Sequence, residues 1–135
     1  MARRLIRAAA LLLSFALCAP ALALDQKALD AYAREVWTTR DGLPHNQVNS
    51  IAQTPEGYLW FATWEGVVRY NGQEFRAFGR NNVPAMKDSG IRAVTVGPSG
   101  ALVVATSRGG VSVLRGEDWT TYTIENGLTQ HETFA

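Results

Sequence analysis

The chain contains two histidines, His45 and His131, whose imidazoles could contact a ligand or a metal. His45 follows Pro44 in a loop-forming stretch, and His131 lies in the matching stretch further along the chain. Neither has a nearby carboxylate at ligand spacing, and a protein metal site takes three or four ligands. We therefore predict no metal site, and interpret the pair either as ligand contacts from a loop or as polar loop residues.

Asp41 and Asn46 lie on either side of the same loop. Their side-chain oxygens could reach a ligand, but Asp and Asn commonly bond their own backbone and shape turns. No serine lies in a nucleophile elbow. The pair Gly109-Gly110 is predicted to be a hairpin turn, not a phosphate-binding loop. The sequence thus offers no catalytic residue, and we predict no cofactor.

An internal repeat positions these loops. The stretch Thr-Pro-Glu-Gly-Tyr-Leu-Trp-Phe-Ala-Thr at 54–63 matches Gly-Pro-Ser-Gly-Ala-Leu-Val-Val-Ala-Thr at 97–106. A third register, two periods along, matches Trp37-Thr38 with Tyr122-Thr123 and Gly42-Leu43 with Gly127-Leu128. The period of about 43 residues is that of one propeller blade.

Each period contains four short apolar runs separated by turn signals. Such runs, rich in β-branched and aromatic residues, predict β-strands. The predicted strands cover residues 48–53, 58–63, 67–70 and 74–78, then 91–96, 101–106, 111–114 and 117–122. The Asn71-Gly72 pair predicts a tight hairpin turn with positive φ at both residues. We also predict a strand over residues 35–39, with Trp37 at the position of the outer-strand aromatic.

The repeat also separates packing residues from candidate site residues. Trp60 and Trp119 recur in the pattern and are predicted to pack between blades, as is Tyr70. Thr63 and its counterpart Thr106 end the second strand, where the hydroxyl is predicted to bond backbone across the turn. Trp64, in contrast, has Ser107 as its counterpart. We predict Trp64 to be the first ligand contact, with His45, Asn46 and His131 as further candidates.

The N-terminus reads as a signal peptide over residues 1–23. Arg3, Arg4 and Arg7 precede an apolar run, and Ala-Leu-Ala at 21–23 is a typical cleavage site. An uncleaved anchor remains an alternative, as does a lipoprotein attached at Cys18. Cleavage would remove the only cysteine, and the rest of the chain carries more acidic than basic residues. That balance argues against nucleic acid as a partner.

These motifs resemble the two-component regulator propeller repeat. Its pattern appears as Trp-Thr-Thr-Arg-Asp-Gly-Leu-Pro-His-Asn at 37–46, Gly-Tyr-Leu-Trp-Phe-Ala-Thr at 57–63 and Gly-Val-Val-Arg-Tyr-Asn-Gly at 66–72. The match is looser over 94–122, where Val103 replaces the Trp. The third start, at 126–130, lacks the Pro. The expected organisation is a signal peptide at 1–23, a lead-in at 24–36, blades at 37–78 and 79–122, and the start of a third at 123–135.

The resemblance implies an all-β propeller of four-stranded antiparallel blades that forms the periplasmic sensor region of a hybrid histidine kinase or a GGDEF-type diguanylate cyclase. Its ligand would be a small molecule or a glycan. In such proteins a transmembrane helix and an output domain follow the propeller. No kinase or cyclase motif occurs in these 135 residues, so we expect no enzymatic activity of this chain.

Alternatives remain open at the level of sequence. The repeat could belong to a periplasmic propeller enzyme, such as a lyase or hydrolase, or to a purely structural repeat protein. An all-β sandwich would also have short strands at regular spacing. A ring of about seven blades needs roughly 300 residues. We therefore interpret the chain as an incomplete ring, whose partners would be further blades and a membrane and output region.

Overall fold

The computed structural model describes residues 34–130, and these form two four-stranded antiparallel sheets with the strands in chain order. Blade 1 contains β1 (Val48–Gln53), β2 (Leu59–Thr63), β3 (Gly66–Tyr70) and β4 (Phe75–Phe78). Blade 2 contains β5 (Ile91–Val96), β6 (Leu102–Thr106), β7 (Val111–Arg115) and β8 (Asp118–Tyr122). The eight strands predicted within the repeats are confirmed to within one residue at each end. The predicted signal peptide, most of the lead-in and His131 lie outside the described residues.

The main core lies between the two blades. Alternation along β2 sends Trp60 and Ala62 to one face, and the matching face of blade 2 presents Leu102 and Val104. All four side chains are buried. Trp60 meets Trp119 of blade 2 edge to face, with ring centroids 6.5 Å apart. The prediction that these recurring tryptophans pack between blades is confirmed.

The opposite face of blade 1 is covered by the segment that precedes β1. Trp37 packs against Phe61, Tyr70 and Phe75, with ring centroids 4.8 to 5.9 Å apart. Leu43 is buried on the same face. Phe78 packs on blade 2 in the same way, because its ring centroid lies 5.7 Å from that of Trp119. Trp37 therefore occupies the position of an outer-strand aromatic, as the repeat predicted.

The strand predicted over residues 35–39 is wrong. None of these residues is assigned to a strand, and residues 39–42 form a turn. A β-strand needs a hydrogen-bonded neighbour, and the described residues provide none for this segment. Packing of the Trp37 ring holds the segment in place instead.

One hydrogen-bond motif recurs directly after the aromatic residue at each outer-strand position, which is Trp37, Phe78 or Tyr122. The side-chain oxygen of an Asp or Asn accepts the backbone N–H three residues earlier, which closes the turn into the next unit. It joins Asp41 to Thr38, Asn82 to Gly79 and Asn126 to Thr123. The structural interpretation of Asp41 is thereby confirmed, because its carboxylate also accepts the Thr38 hydroxyl.

The second strand of each blade ends on a buried threonine. The Thr63 hydroxyl donates to the carbonyl oxygen of Gly66 at 2.7 Å, and the Thr106 hydroxyl donates to that of Gly110 at 2.9 Å. The backbone bonds predicted for these hydroxyls are thus confirmed. Gly110 has a φ of +81°, and a Cβ at this position would overlap the carbonyl oxygen of Tyr122. Only glycine fits there.

The hairpin between β3 and β4 is present, but its turn differs from the prediction. Gly72 has a positive φ, whereas Asn71 does not. The Asn71 side-chain oxygen instead accepts the N–H groups of Gln73 and Glu74, at 2.9 and 2.7 Å. This side-chain bonding closes a turn over residues 71–74, in place of the predicted turn centred on Asn71 and Gly72.

Candidate functional site

A cleft opens at one end of the junction between the blades, where the β2–β3 and β6–β7 turns meet the connection from β4 to β5. Its volume is about 450 Å³. We call it the rim cleft, and define it by its lining residues, which are Trp64, Glu65, Arg80, Asn81, Asp88, Ser89, Gly90, Ser107 and Arg108. Because both blades and their connection contribute, the repeat architecture alone positions these groups.

Trp64 lies in the β2–β3 turn and is 39% exposed. Its ring rests against the connection into blade 2, since a Cβ on Gly90 would lie only 3.6 Å from Cε3 of Trp64. The same Cβ would approach the Ser107 hydroxyl oxygen to 2.8 Å. Because Gly90 has no side chain, the Trp64 indole and the Ser107 hydroxyl can both lie close to the backbone at this position. The result is an aromatic ring that is packed on one side and open to the cleft.

Asp88 organises the opposite wall of the rim cleft. Its Oδ2 accepts the Ser107 hydroxyl and the N–H of Arg108, both at 2.9 Å, and its Oδ1 accepts the N–H of Gly90 at 3.1 Å. The carboxylate thereby ties the connection into β5 to the β6–β7 turn. Both of its oxygens are used within the protein, so its role is to hold the wall in shape.

The pKa of Asp88 is lower than that of an ordinary aspartate. Partial burial on its own would raise this pKa, because it disfavours the charged form. Hydrogen bonds from the N–H of Gly90, the Ser107 hydroxyl and the N–H groups of Arg108 and Ser89 outweigh burial and stabilise the carboxylate. Asp88 is therefore ionised at neutral pH and is unsuited to donate a proton.

His45 occupies the same repeat position as Asp88 and makes the same local bond. Its Nδ1 accepts the N–H of Gln47 at 3.0 Å, just as Asp88 accepts the N–H two residues on. Asn46 accepts the N–H of Thr39 at 2.7 Å through its side-chain oxygen. Neither residue lines the rim cleft. Of the predicted site residues, the cleft thus includes Trp64 and leaves out His45 and Asn46.

Sequence reasoning missed Asp88, Arg80 and Arg108. One signal was available, because Asp-Ser-Gly directly before a predicted strand is a typical side-chain-closed turn. The arginines carried no such signal. Arg80 and Arg108 lie in two different loops, and only the folded connection brings both to the same cleft.

A second cleft lies at the opposite end of the junction, with a volume of about 250 Å³. Its lining includes Tyr58, Trp60 and Arg69. The Arg69 guanidinium is 4.5 Å from the centre of the Tyr58 ring and 6.0 Å from that of Trp60. These contacts are cation–π packing within blade 1. We therefore regard the rim cleft as the candidate site.

The described residues contain no group of three or more potential metal ligands. Within residues 34–130, no helix has the length and apolar character needed to span a membrane.

Four-stranded antiparallel sheets that pack face to face in chain order define the class as a β-propeller. Residues 42–65 match the family described as Two component regulator propeller. That span includes His45, Asn46 and Trp64. This part of blade 1, which contains β1 and β2, is therefore similar to a two component regulator propeller repeat.

A solved structure shares this arrangement. It is the extracellular domain of a protein described as a hybrid two component system from B. thetaiotaomicron, with a TM-score of 0.65 and 25% sequence identity. The alignment covers 73% of this chain and 15% of that chain. The chain thus spans less than a sixth of that structure. Comparison with curated proteins gave no match.

Proposed function

We propose that this chain is part of an extracytoplasmic, ligand-sensing propeller of a bacterial signal-transduction receptor. The observation that carries the proposal is the match at residues 42–65 together with the structural likeness to an extracellular domain of a hybrid two component system. The predicted signal peptide supports a periplasmic location. The proposed partners are a small molecule or glycan at the rim, further propeller blades, and a membrane and output region.

The rim cleft supports a binding role over a catalytic one. Its exposed indole offers a flat apolar surface, and its polar groups come from three different loops. Binding sites combine apolar area with a few oriented polar groups in this way. A hydrolase or lyase would need an acid–base pair. Asp88, the hydrogen-bonded carboxylate of the cleft, has both oxygens committed to structural bonds.

The size and location of the native protein test the signalling role. An antibody raised against residues 37–78 is used to probe the membrane, periplasmic and cytoplasmic fractions of the native cell. We expect a band much larger than 14.7 kDa in the membrane fraction. A small soluble periplasmic band would contradict a receptor role for this chain.

Ligand sensing at the rim is tested by substitution of Trp64 in the full-length protein. Small molecules and oligosaccharides are screened by the shift in Tm of the wild type. For each compound that raises the Tm, Trp64→Ala is expected to abolish the shift and Trp64→Phe to retain part of it. Trp64→Ser, which installs the residue found at the same repeat position of blade 2, is also expected to abolish the shift. A ligand-induced shift that survives in all three variants would rule out sensing through this cleft.

A further inference from the structure

The charges of the rim cleft specify its ligand further. We propose that the rim cleft binds an acidic sugar, whose ring stacks on Trp64 while its carboxylate is held by Arg80 and Arg108. This inference rests on the proposed sensing function and adds the chemical class of the ligand.

The aromatic platform supplies the first part of the argument. Trp64 is 39% exposed, yet the backbone at Gly90 supports one side of its ring. A supported, open indole costs little conformational entropy on binding, because the ring is already held. Its face matches the apolar C–H face of a pyranose. Blade 2 has Ser107 at this repeat position, so propeller packing does not require an aromatic residue there.

The two arginines supply the second part. Both side chains are exposed, and within residues 34–130 neither forms an ion pair with a carboxylate. Arg108 is anchored through its backbone N–H on Asp88, and Arg80 through its N–H on the Ser89 hydroxyl oxygen at 3.2 Å. Within the part of the chain that the structure describes, their guanidinium groups thus have no carboxylate partner, while their main chains are fixed. A guanidinium is the protein group best matched to a planar carboxylate, which it binds through two parallel hydrogen bonds.

The carboxylate of Asp88 does not compete for these guanidinium groups. Its oxygens already accept hydrogen bonds from the backbone N–H groups of Gly90 and Arg108 and from the Ser107 hydroxyl. Glu65, on the rim of the same cleft, can accept hydrogen bonds from sugar hydroxyl groups. An aromatic surface, two guanidinium donors and a carboxylate acceptor together fit a ring that carries both hydroxyl groups and an anionic group. A uronic acid has this chemistry.

The experiment compares an acidic with a neutral sugar of the same shape. Isothermal titration of the full-length protein is carried out with digalacturonate and with galactobiose. We expect digalacturonate to bind at least tenfold more tightly, and its affinity to fall between 0.05 and 0.5 M NaCl as screening increases. Equal affinity for the two sugars would overturn the inference.

Three variants connect this binding to the named side chains. Arg80→Gln and Arg108→Gln are each expected to weaken digalacturonate binding about tenfold and to leave galactobiose binding unchanged. Trp64→Ala is expected to abolish binding of both. Arg115→Gln, an exposed arginine at the opposite end of blade 2, is the control and should bind as the wild type does. Unchanged digalacturonate affinity in both cleft variants would overturn the role assigned to the arginines.

The inference and the proposed function can fail separately. Binding of galactobiose that depends on Trp64 but shows no preference for digalacturonate would reject the acidic ligand and leave a sensing propeller intact. Absence of binding by either sugar would also reject the inference. The fractionation experiment and the ligand screen then decide the signalling role independently.

Discussion

In blade 1 the second strand carries Trp60 and Phe61, whereas blade 2 has Val103 and Val104 at the same repeat positions. The strands nevertheless pair in the same register, because Trp60 lies opposite Arg69 and Val103 lies opposite Val113. The alternation of side chains and the positions of the turns therefore determine the strand pairing of a blade. The size of each side chain can differ between the two blades without a change in that pairing.

A second contrast concerns the rim. The turn after β2 presents an exposed indole at Trp64, and the turn after β6 presents Ser107, whose hydroxyl bonds Asp88. At this position both blades have a turn after the second strand, but the side chain is aromatic in blade 1 and a hydroxyl in blade 2. The repeat thus divides its residues into those that build a blade and those that are free to form a site.

The largest expected effect tests the packing side of this comparison. Trp60→Ala removes a buried ring from the junction, and its Nε1 has no hydrogen-bond partner within the described structure, so packing carries its contribution. We expect a loss of about 3 to 5 kcal/mol in the free energy of unfolding. Val103→Ala, at the half-buried equivalent position, should cost about 1 kcal/mol. Urea unfolding measures both, and equal losses would show that the two blades do not differ as described.

The next effect concerns a turn that both blades share. Gly110→Ala forces a Cβ onto the carbonyl oxygen of Tyr122 at a positive φ. We expect a loss of about 3 kcal/mol, with the backbone conformation contributing about 1 to 2 kcal/mol.

The control for this turn is Gly116→Ala. Gly116 has a φ of +61° but open space around the added Cβ. Its expected loss is about 1 kcal/mol, since only the conformational cost remains. Thermal unfolding of both variants separates overlap from conformation. A Gly116→Ala variant as unstable as Gly110→Ala would mean that overlap with Tyr122 contributes nothing.

A smaller effect is expected at Asp88, and it depends on pH. Since the folded-state pKa of Asp88 lies below its ordinary value of 3.8, its stabilising contribution is complete above that value and is lost as the pH falls through the folded-state pKa. At pH 7 Asp88→Asn should cost about 1 kcal/mol, because solvent screens a partly exposed carboxylate.

Chemical unfolding of wild type and Asp88→Asn at pH 7 and at pH 2 checks this dependence. The difference between the two proteins should shrink in acid, because the wild-type carboxylate loses its stabilising contribution as the pH falls toward its lowered folded-state pKa. Ser107→Ala, which removes one of the hydrogen-bond donors to Asp88, should change stability in the same direction by a smaller amount. A difference that grows in acid would reverse the assigned sign.

The smallest effect on stability is expected at Trp64. Trp64→Ala should change the free energy of unfolding by about 0.5 kcal/mol or less, since the ring is partly exposed and lies outside the blade cores. Circular dichroism during thermal unfolding measures the change. A loss comparable with that of Trp60→Ala would make Trp64 a packing residue and would weaken the case for the rim cleft as a site.

The sequence predicted the strands well because alternation and turn residues are local properties. It failed at residues 35–39, where β-favouring residues have no neighbouring strand, since pairing depends on what lies beside a segment. It also missed the turn type at Asn71, because a side-chain hydrogen bond competed successfully with the expected backbone geometry.

The candidate site was predictable only where its sequence departs from the repeat. Trp64 stood out because its counterpart is Ser107, and the structure places it in a cleft. His45 and Asn46 stood out by residue type, but both are used in local turn bonds. Arg80 and Arg108 are 28 positions apart in the chain, and their proximity depends on how one blade packs on the next.

The first strands of the two blades, β1 and β5, are joined by hydrogen bonds between side chains of β1 and main-chain atoms of β5. The Asn49 side chain donates to the carbonyl oxygen of Ile91 at 2.8 Å, and the Ser50 hydroxyl pairs with the carbonyl and N–H groups of Val94 at 3.2 and 3.3 Å. Every amino acid except proline supplies those two backbone groups. A duplicated copy of the gene segment for one blade would therefore find its docking partners already present. Lineages could in this way gain or lose blades by recombination while the rim residues diverge.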